Sequence, residues 1–140
     1  MAVKKTKDGT LWIATDNDGL YSLDKKGKIK KHYIPRKGTM GLPATILCIE
    51  EDNNGRLWIG SFLDGCGWID KNSSTYHRLP CTYGKANSIF DIKFDKNGNL
   101  WIGTMGDGLK CLNIKTDKMK EFHASDNRNS LTNDYIDHIS

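Results

Sequence analysis

Three stretches of the chain share one pattern: GTLWIAT at residues 9–15, GRLWIGS at residues 55–61 and GNLWIGT at residues 98–104. An Asp-Gly pair follows each copy at the same distance and ends at Gly19, Gly65 and Gly108. Two matched blocks at a fixed separation argue against chance similarity. The chain is therefore built from a tandem repeat, and the type of repeat predicts the fold.

The repeat has the period of a propeller blade. Trp12, Trp58 and Trp101 are 46 and 43 residues apart, a spacing typical of a four-stranded blade and longer than that of leucine-rich repeats. An apolar strand precedes each signature, as ILCI at 46–49, IFDI at 89–92 and IDHI at 136–139, and Val3 takes the place of Ile49 in the first copy.

The predicted segments are blade one at 1–44 with a truncated first strand, blade two at 45–87, blade three at 88–131, and the first strand of a following repeat at 132–140. The last segment ends inside a predicted strand, which would lack its neighbours. We therefore expect the chain to be an excerpt of a longer protein.

Turn chemistry places four strands in each repeat. The turns at 7–9, 53–55 and 96–98 end in Asp-Gly or Asn-Gly, which predicts type I′ hairpins. Strand two is the Leu-Trp-Ile block, strand three begins at each Asp-Gly glycine, and strand four, at 29–33, 75–79 and 119–122, is polar, as suits an outer edge. The predicted fold class is all-β: a β-propeller fragment of about three four-stranded antiparallel blades.

Strand two carries apolar residues at consecutive positions, so both of its faces must be covered. Stacked blades cover both faces. The sequence therefore predicts that Trp12, Trp58 and Trp101 are equivalent buried residues between blades, and that Gly19, Gly65 and Gly108 have structural roles.

Composition favours a globular chain of short strands. The 140 residues are 37% hydrophobic and include 14 glycines but 3 prolines.

The formal charge of +4 comes from 21 basic and 17 acidic residues. A lysine run at 25–31 has no aromatic stacking pattern beside it, so nucleic acid is not a predicted partner. No stretch approaches the length of a membrane span, and the N-terminus does not have the pattern of a signal peptide.

The segments and residues that could bind a metal or catalyse a reaction do not have the spacing that such motifs require. The segments 16–19 and 95–99 resemble calcium loops but lack the required glycine and glutamate positions. The cysteines at 48, 66, 81 and 111 form no C-x-x-C pair; free thiols are favoured over disulfides, and Cys66 stands where Leu20 and Leu109 stand in the other repeats. The histidines at 32, 77, 123 and 138 have no nucleophile motif near them. No catalytic residue, metal or cofactor is predicted.

Candidate ligand-binding residues lie in the connection between strands two and three. Phe62, Leu63 and Met105 interrupt an otherwise polar segment, where Asp16 and Asn17 stand in the first repeat. Exposed apolar residues on a propeller rim indicate contact with a ligand or partner, while packing against a neighbouring blade is the alternative.

The pattern D-x-N-G-x-L-W-I-G-T at 95–104, with D-G-L at 107–109 and Ser-Leu at 130–131, resembles the two-component regulator propeller repeat. The resemblance covers essentially the whole chain, with departures at Ala14 and Cys66. It implies the periplasmic sensor region of bacterial hybrid two-component sensor histidine kinases, many of which respond to oligosaccharides. The leading hypothesis is thus a non-catalytic, glycan-responsive segment that senses a ligand or partner.

Two other functions stay open. One is a propeller enzyme similar to the streptogramin lyases, which use histidine with a metal. The other is a structural protein-interaction scaffold. In either case three blades form an open arc with two exposed apolar faces, so we expect a homo-oligomer, most simply two chains that close a six-bladed ring.

Overall fold

The computed structural model describes residues 2–35, 41–70, 75–79, 88–106 and 108–122. These residues form three antiparallel four-stranded sheets, in which strands follow one another in chain order. Blade one contains β1 Ala2–Lys5, β2 Leu11–Ala14, β3 Leu20–Leu23 and β4 Ile29–Tyr33; blade two contains β5 Ile46–Glu51, β6 Arg56–Ser61, β7 Cys66–Asp70 and β8 Tyr76–Arg78; blade three contains β9 Ile89–Phe94, β10 Asn99–Thr104, β11 Leu109–Asn113 and β12 Lys118–Phe122. The predicted all-β propeller fold is confirmed. The predicted strand at 136–139, together with Cys81, Asp107, His123 and His138, lies outside the described residues.

The first strand of each blade faces its neighbours in the arc. Strands β1 and β5 contact each other, as do β5 and β9. Val3 lies opposite Ile13 in the same register as Ile49 opposite Ile59, so Val3 does replace Ile49 in the first repeat. Val3 is nevertheless 58% exposed, because no sheet among the described residues packs on that side of blade one.

Strand β6 has consecutive apolar residues because both of its faces are buried against neighbouring blades. Leu57 and Ile59 belong to the apolar layer between blades one and two, whereas Trp58 belongs to the layer between blades two and three. All three are almost fully buried. A central blade thus buries both faces of one strand, as stacked sheets require.

The prediction of equivalent burial is wrong for Trp101. Trp12 is 3% exposed and Trp58 2% exposed, whereas Trp101 is half-buried and stacks on Phe122 with ring centroids 5.9 Å apart. Each signature tryptophan faces the blade that follows its own. Within the described ranges no sheet follows blade three, so Trp101 has only its own blade to pack against.

The prediction of type I′ hairpins is also wrong. In the turn before β10, Gly98 N–H donates to the Asp95 carbonyl at 3.1 Å and Asp95 N–H donates to the Asn99 carbonyl at 3.0 Å. Gly98 has a φ of 81°, but Asn97 does not have a positive φ. Two positive-φ residues define type I′, so this is instead a three-residue loop with a left-handed glycine at its end. The turns that end at Gly9 and Gly55 have the same bonds.

The position just before strand three requires glycine, because the backbone of strand four lies very close to it. Gly19 has a φ of 78°, and a Cβ there would lie 2.2 Å from the carbonyl oxygen of Tyr33. Gly65 and Gly108 also have positive φ. A side chain at these positions would strain the backbone.

Candidate functional site

The two ends of the strands form two faces of the arc. We call the face that carries the connections between strands two and three the loop face, and the face that carries the tight turns between strands one and two the turn face. The candidate ligand-binding residues all lie on the loop face, because they follow β2, β6 or β10.

A repeated hydroxyl closes each connection on the loop face. The side chains of Thr15, Ser61 and Thr104 donate to the carbonyl oxygens of Gly19, Gly65 and Gly108 at 2.9, 2.7 and 2.6 Å. Ser61 and Thr104 are fully buried. The Ser or Thr that ends each signature therefore holds the loop in shape, and its hydroxyl is engaged with the backbone.

Two further hydroxyl residues join the loops of different blades. Thr45, just before β5, donates its hydroxyl to the Asp16 carbonyl of blade one, and its own carbonyl accepts from Phe62 N–H at 3.0 Å. Ser88, just before β9, accepts from Leu63 N–H of blade two at 2.8 Å through its hydroxyl and from Met105 N–H at 3.0 Å through its carbonyl.

These bonds bring the predicted ligand-binding residues into one continuous structure, which we call the loop band: residues 15–17, 45, 62–63, 88 and 105. It runs across all three blades. Sequence reasoning missed Thr45 and Ser88, although both are hydroxyl residues placed directly before an Ile that begins strand one. That repeated position was the available signal.

The exposure of the loop band varies along the arc. Asp16 and Asn17 are exposed, Phe62 is 43% exposed and Leu63 59% exposed, while Met105 is half-buried. Phe62 and Leu63 thus keep a large exposed surface, and packing against a neighbouring blade stays the alternative for the rest of each side chain.

Leu63 also has an uncommon backbone conformation. Its φ is 62°, in the left-handed region that disfavours a residue with a side chain. The equivalent residue of blade three is Gly106, with a φ of 95°. An exposed leucine held where a sister blade uses glycine is a candidate for a functional role.

On the turn face, an aspartate links the turn of blade two to the signature tryptophan. One carboxylate oxygen of Asp52 accepts from the N–H groups of Asn54 and Arg56 at 2.8 and 2.9 Å. The other accepts from Trp58 Nε1 at 2.9 Å and from Arg56 Nε at 2.8 Å. This buried carboxylate therefore satisfies the indole N–H that packing would otherwise leave without an acceptor.

Asp95 repeats this arrangement in blade three. Its Oδ2 accepts from Trp101 Nε1 at 3.0 Å, and this hydrogen bond is the main cause that lowers the pKa of Asp95 to about 2, with further help from the backbone N–H of Asn99. Blade one differs, because Thr6 stands at the equivalent position. Trp12 Nε1 is buried and has no hydrogen-bond partner among the residues that the structure describes.

Two cavities lie on the turn face between blades. The cavity between blades one and two is ≈ 520 Å³ and is lined in part by Trp12, Tyr33 and Lys30. The cavity between blades two and three is ≈ 160 Å³, and its lining includes both Asp52 and Asp95.

The histidines that the structure describes are not brought together. His32 stacks on Tyr21 in blade one, with ring centroids 4.0 Å apart, and His77 stacks on Trp68 in blade two, also at 4.0 Å. Within the described ranges no group of three or more His, Cys, Asp or Glu side chains is placed to hold a metal ion.

No disulfide bond joins the three described cysteines, Cys48, Cys66 and Cys111. Cys66 is fully buried and lies opposite Gly60. Burial raises the pKa of Cys48 to about 12, so this thiol is poorly suited to act as a nucleophile.

Two segments of the chain match a known family. The family described as two component regulator propeller matches residues 41–62 and 83–106. These two segments contain the second and third signatures. No protein in the curated set matches the chain, and no helix in the described residues has the length and apolarity of a membrane span.

Several solved structures have a similar fold. The extracellular domain of BT3049 from B. thetaiotaomicron, assigned to a hybrid two-component system, has 26% identity and a TM-score of 0.76 over 99% of this chain and 17% of that domain. The extracellular domain of BT4673 from the same organism has 24% identity and a TM-score of 0.70, over 85% and 18% of the two chains.

PorZ from Porphyromonas gingivalis, a surface component of the type-IX secretion system, has 19% identity and a TM-score of 0.64, over 86% of this chain and 20% of PorZ. At this identity the likeness concerns the fold alone. The chain spans less than a fifth of the two B. thetaiotaomicron domains.

Proposed function

Because the chain carries two-component regulator propeller repeats, we propose that it is a sensing segment in the extracellular, periplasmic region of a hybrid two-component sensor histidine kinase. Its loop band contacts a ligand or a neighbouring domain, and the chain itself breaks no bond. Contact at the band then biases the state of the receptor, which is how a binding module without catalytic residues transmits a signal.

The observation that carries this proposal is the loop band itself. Hydrogen bonds connect Asp16, Thr45 and Phe62, and then Leu63, Ser88 and Met105, across three blades. The same band leaves Phe62 and Leu63 exposed. A rigid scaffold that holds variable, exposed loop side chains is the usual arrangement of a binding surface.

The ligand class that we propose is an oligosaccharide. Phe62 offers an apolar face for the C–H groups of a sugar ring, and the neighbouring Asp16 and Asn17 offer oxygen and amide groups for its hydroxyls. Such a combination of an aromatic ring with a few polar groups is common in ligand sites. Phe62 and Leu63 equally suit a neighbouring protein domain, and a scaffold role is the second candidate.

The experiment is a signalling assay in the sensor that contains this chain, with a panel of defined oligosaccharides as inducers. We expect Phe62→Ser and Leu63→Gly each to reduce the response at least several-fold. Ile29→Ser is the matched control, since Ile29 is 60% exposed but lies on the outer strand β4.

An equal loss in the Ile29→Ser control would show a general effect of surface substitution and would contradict the proposal. Unchanged signalling in both loop-band variants would contradict it as well. Binding of the oligosaccharide to the purified sensor, lost in the Phe62 variant, separates a ligand role from a scaffold role, because a scaffold residue leaves sugar binding intact.

A further inference from the structure

An ion pair with a buried arginine anchors the loop that carries Phe62 and Leu63. Arg78, on the outer strand β8, contacts Oδ1 of Asp64 through its Nη2 at 2.9 Å. The side chain of Arg78 is only 5% exposed. Because Asp64 follows Leu63 directly in the chain, the ion pair holds the residue next to the one with the left-handed backbone.

The same guanidinium joins the loop to the connection between blades one and two. Nη2 of Arg78 also donates to the Gly41 carbonyl at 3.4 Å. Further along that connection, the Thr45 carbonyl accepts from Phe62 N–H. The connection and the loop are therefore joined twice, once by a backbone hydrogen bond and once by the side chain of Arg78.

Blade two has room for this arginine because a glycine lies beside it. Gly67 lies opposite Arg78 in the register, and a Cβ on Gly67 would lie 2.6 Å from Cζ of Tyr76. The buried Tyr76 ring thus lies over Gly67, and the Arg78 guanidinium lies 6.0 Å from the centroid of that ring. Tyr21 and Lys110 occupy the position of Gly67 in the other blades, so the repeat as such does not require glycine there.

The residue at the position of Arg78 differs in each blade. His32 occupies it in blade one and Glu121 in blade three. His32 Nε2 is 3.6 Å from Oδ1 of Asp18, whose side chain is 64% exposed, whereas Arg78 carries a permanent charge. The blade whose loop exposes an aromatic ring is thus the one in which a buried, permanent cation contacts the loop aspartate.

We propose that Arg78 is the positioning residue of the loop band: its contacts with Asp64 and Gly41 hold the loop between β6 and β7 in the conformation that presents Phe62 and Leu63. A loop that relaxed Leu63 by moving Asp64 away would leave Arg78 buried without that carboxylate. Such a loss costs more free energy than one residue in the left-handed region. The effect on signalling rests on the proposed function, whereas the effect on the loop is measured independently of it.

The first measurement is amide hydrogen exchange, followed by NMR on the ¹⁵N-labelled chain, because exchange of loop amides reports local opening. Phe62 and Leu63 N–H groups are bound within the loop band, so Arg78→Met should raise their exchange rates at least ten-fold. Arg78→Lys should raise them less, since lysine keeps the charge but not the planar fork. Arg56→Met is the matched control, because Arg56 pairs with Asp52 at 2.8 Å in the same blade but on the turn face. It should leave both rates unchanged.

A second variant tests whether Arg78 acts through its carboxylate partner. Asp64→Asn removes the charge that Arg78 contacts, so it should raise the same two exchange rates. The double variant Arg78→Met and Asp64→Asn should raise them no further than Arg78→Met alone, because both changes break one contact. If Arg78→Met does not fold, Arg78→Lys and Asp64→Asn still decide.

The effect on signalling is measured in the sensor that contains this chain, with the same panel of defined oligosaccharides. Arg78→Met should reduce the response several-fold, as Phe62→Ser does, and Arg56→Met should not. Faster loop exchange with a normal response in Arg78→Met, while Phe62→Ser is impaired, overturns the link between loop conformation and signalling.

Two further outcomes separate the positioning role from the proposed function. Unchanged exchange at Phe62 and Leu63 in Arg78→Met, or an equal increase in Arg56→Met, overturns the positioning role. Faster exchange in Arg78→Met together with normal signalling by Phe62→Ser and Leu63→Gly supports the positioning role and overturns the proposed function instead.

Discussion

The indole nitrogen of Trp101 donates to Oδ2 of Asp95 at 3.0 Å, and this bond joins the signature tryptophan to the first residue of the turn before it. The bond explains why aspartate begins the turn. Its Oδ1 accepts from the N–H groups of Asn97 and Asn99, so one side chain shapes the turn and orients the tryptophan.

The first prediction concerns pH. The pKa of Asp95 is lowered from 3.8 to about 2 in the folded chain, so its stabilising contribution is complete above the unfolded value and is lost as the pH falls through about 2. Asp95→Asn should lower the melting temperature at neutral pH and reduce its fall between about pH 4 and pH 2. Thermal melts across this range test the prediction, with Asp117→Asn as the control. Parallel pH profiles for the parent and Asp95→Asn would contradict it.

The second prediction compares two tryptophans. Trp58 is 2% exposed between two blades, so Trp58→Ala should destabilise the fold by about 3–5 kcal/mol. Trp101→Ala should cost clearly less, because Trp101 is half-buried. Denaturant unfolding of both variants gives the two free energies, and equal losses would be inconsistent with the packing described.

The third prediction concerns the unpaired donor of blade one. The double variant Thr6→Asp and Asp8→Asn should stabilise the chain by about 1–2 kcal/mol, since it gives Trp12 Nε1 an acceptor. The Asp8 change alone should not, because it removes the acceptor of the Thr6 hydroxyl. Chemical denaturation of the single and double variants tests this, and a double variant no more stable than the parent would refute it.

The fourth prediction concerns the strained loop. Leu63→Gly should relieve a left-handed conformation that costs about 1 kcal/mol, and it removes a side chain that is largely exposed. Asn17→Gly is the matched control in blade one, because Asn17 does not have a positive φ. This substitution should not raise the melting temperature. Melting temperatures of the two variants are the measurement, and a gain from Asn17→Gly alone would reverse the interpretation.

The fifth prediction concerns assembly. The outward faces of blades one and three expose apolar side chains such as Val3 and Phe122, so we expect the chain to form a homo-oligomer, most simply a dimer. Light scattering measures the mass in solution. Val3→Lys should shift the equilibrium toward the monomer, and a parent chain that is monomeric at micromolar concentration would contradict the prediction.

The repeat pattern predicted the strands well because each strand depends on local signals. Register follows from the Leu-Trp-Ile block, and Val3 could be aligned with Ile49 because both lie opposite the same isoleucine position. The turn type was wrong because an Asp-Gly or Asn-Gly pair suits two loop lengths. The longer one occurs in all three blades, and in blades two and three Asp52 and Asp95 also cap the backbone of the turn.

The site was predicted only in part. Exposed Phe62 and Leu63 stand out in the sequence because they interrupt a polar connection. The roles of Thr45 and Ser88 depend on contacts between blades, which a pattern within one repeat does not contain. Likewise, the exposure of Trp101 depends on whether another blade packs against it. The signature motif does not predict this exposure, because the motif is the same around Trp58 and Trp101.

Ser88 is a shared partner of two loops, since its hydroxyl accepts from Leu63 N–H and its carbonyl from Met105 N–H. A displacement of either loop therefore changes the bonding of the other. Adjacent blades are thus joined by hydrogen bonds at this residue, and we expect binding at the loop of blade two to perturb the loop of blade three through it.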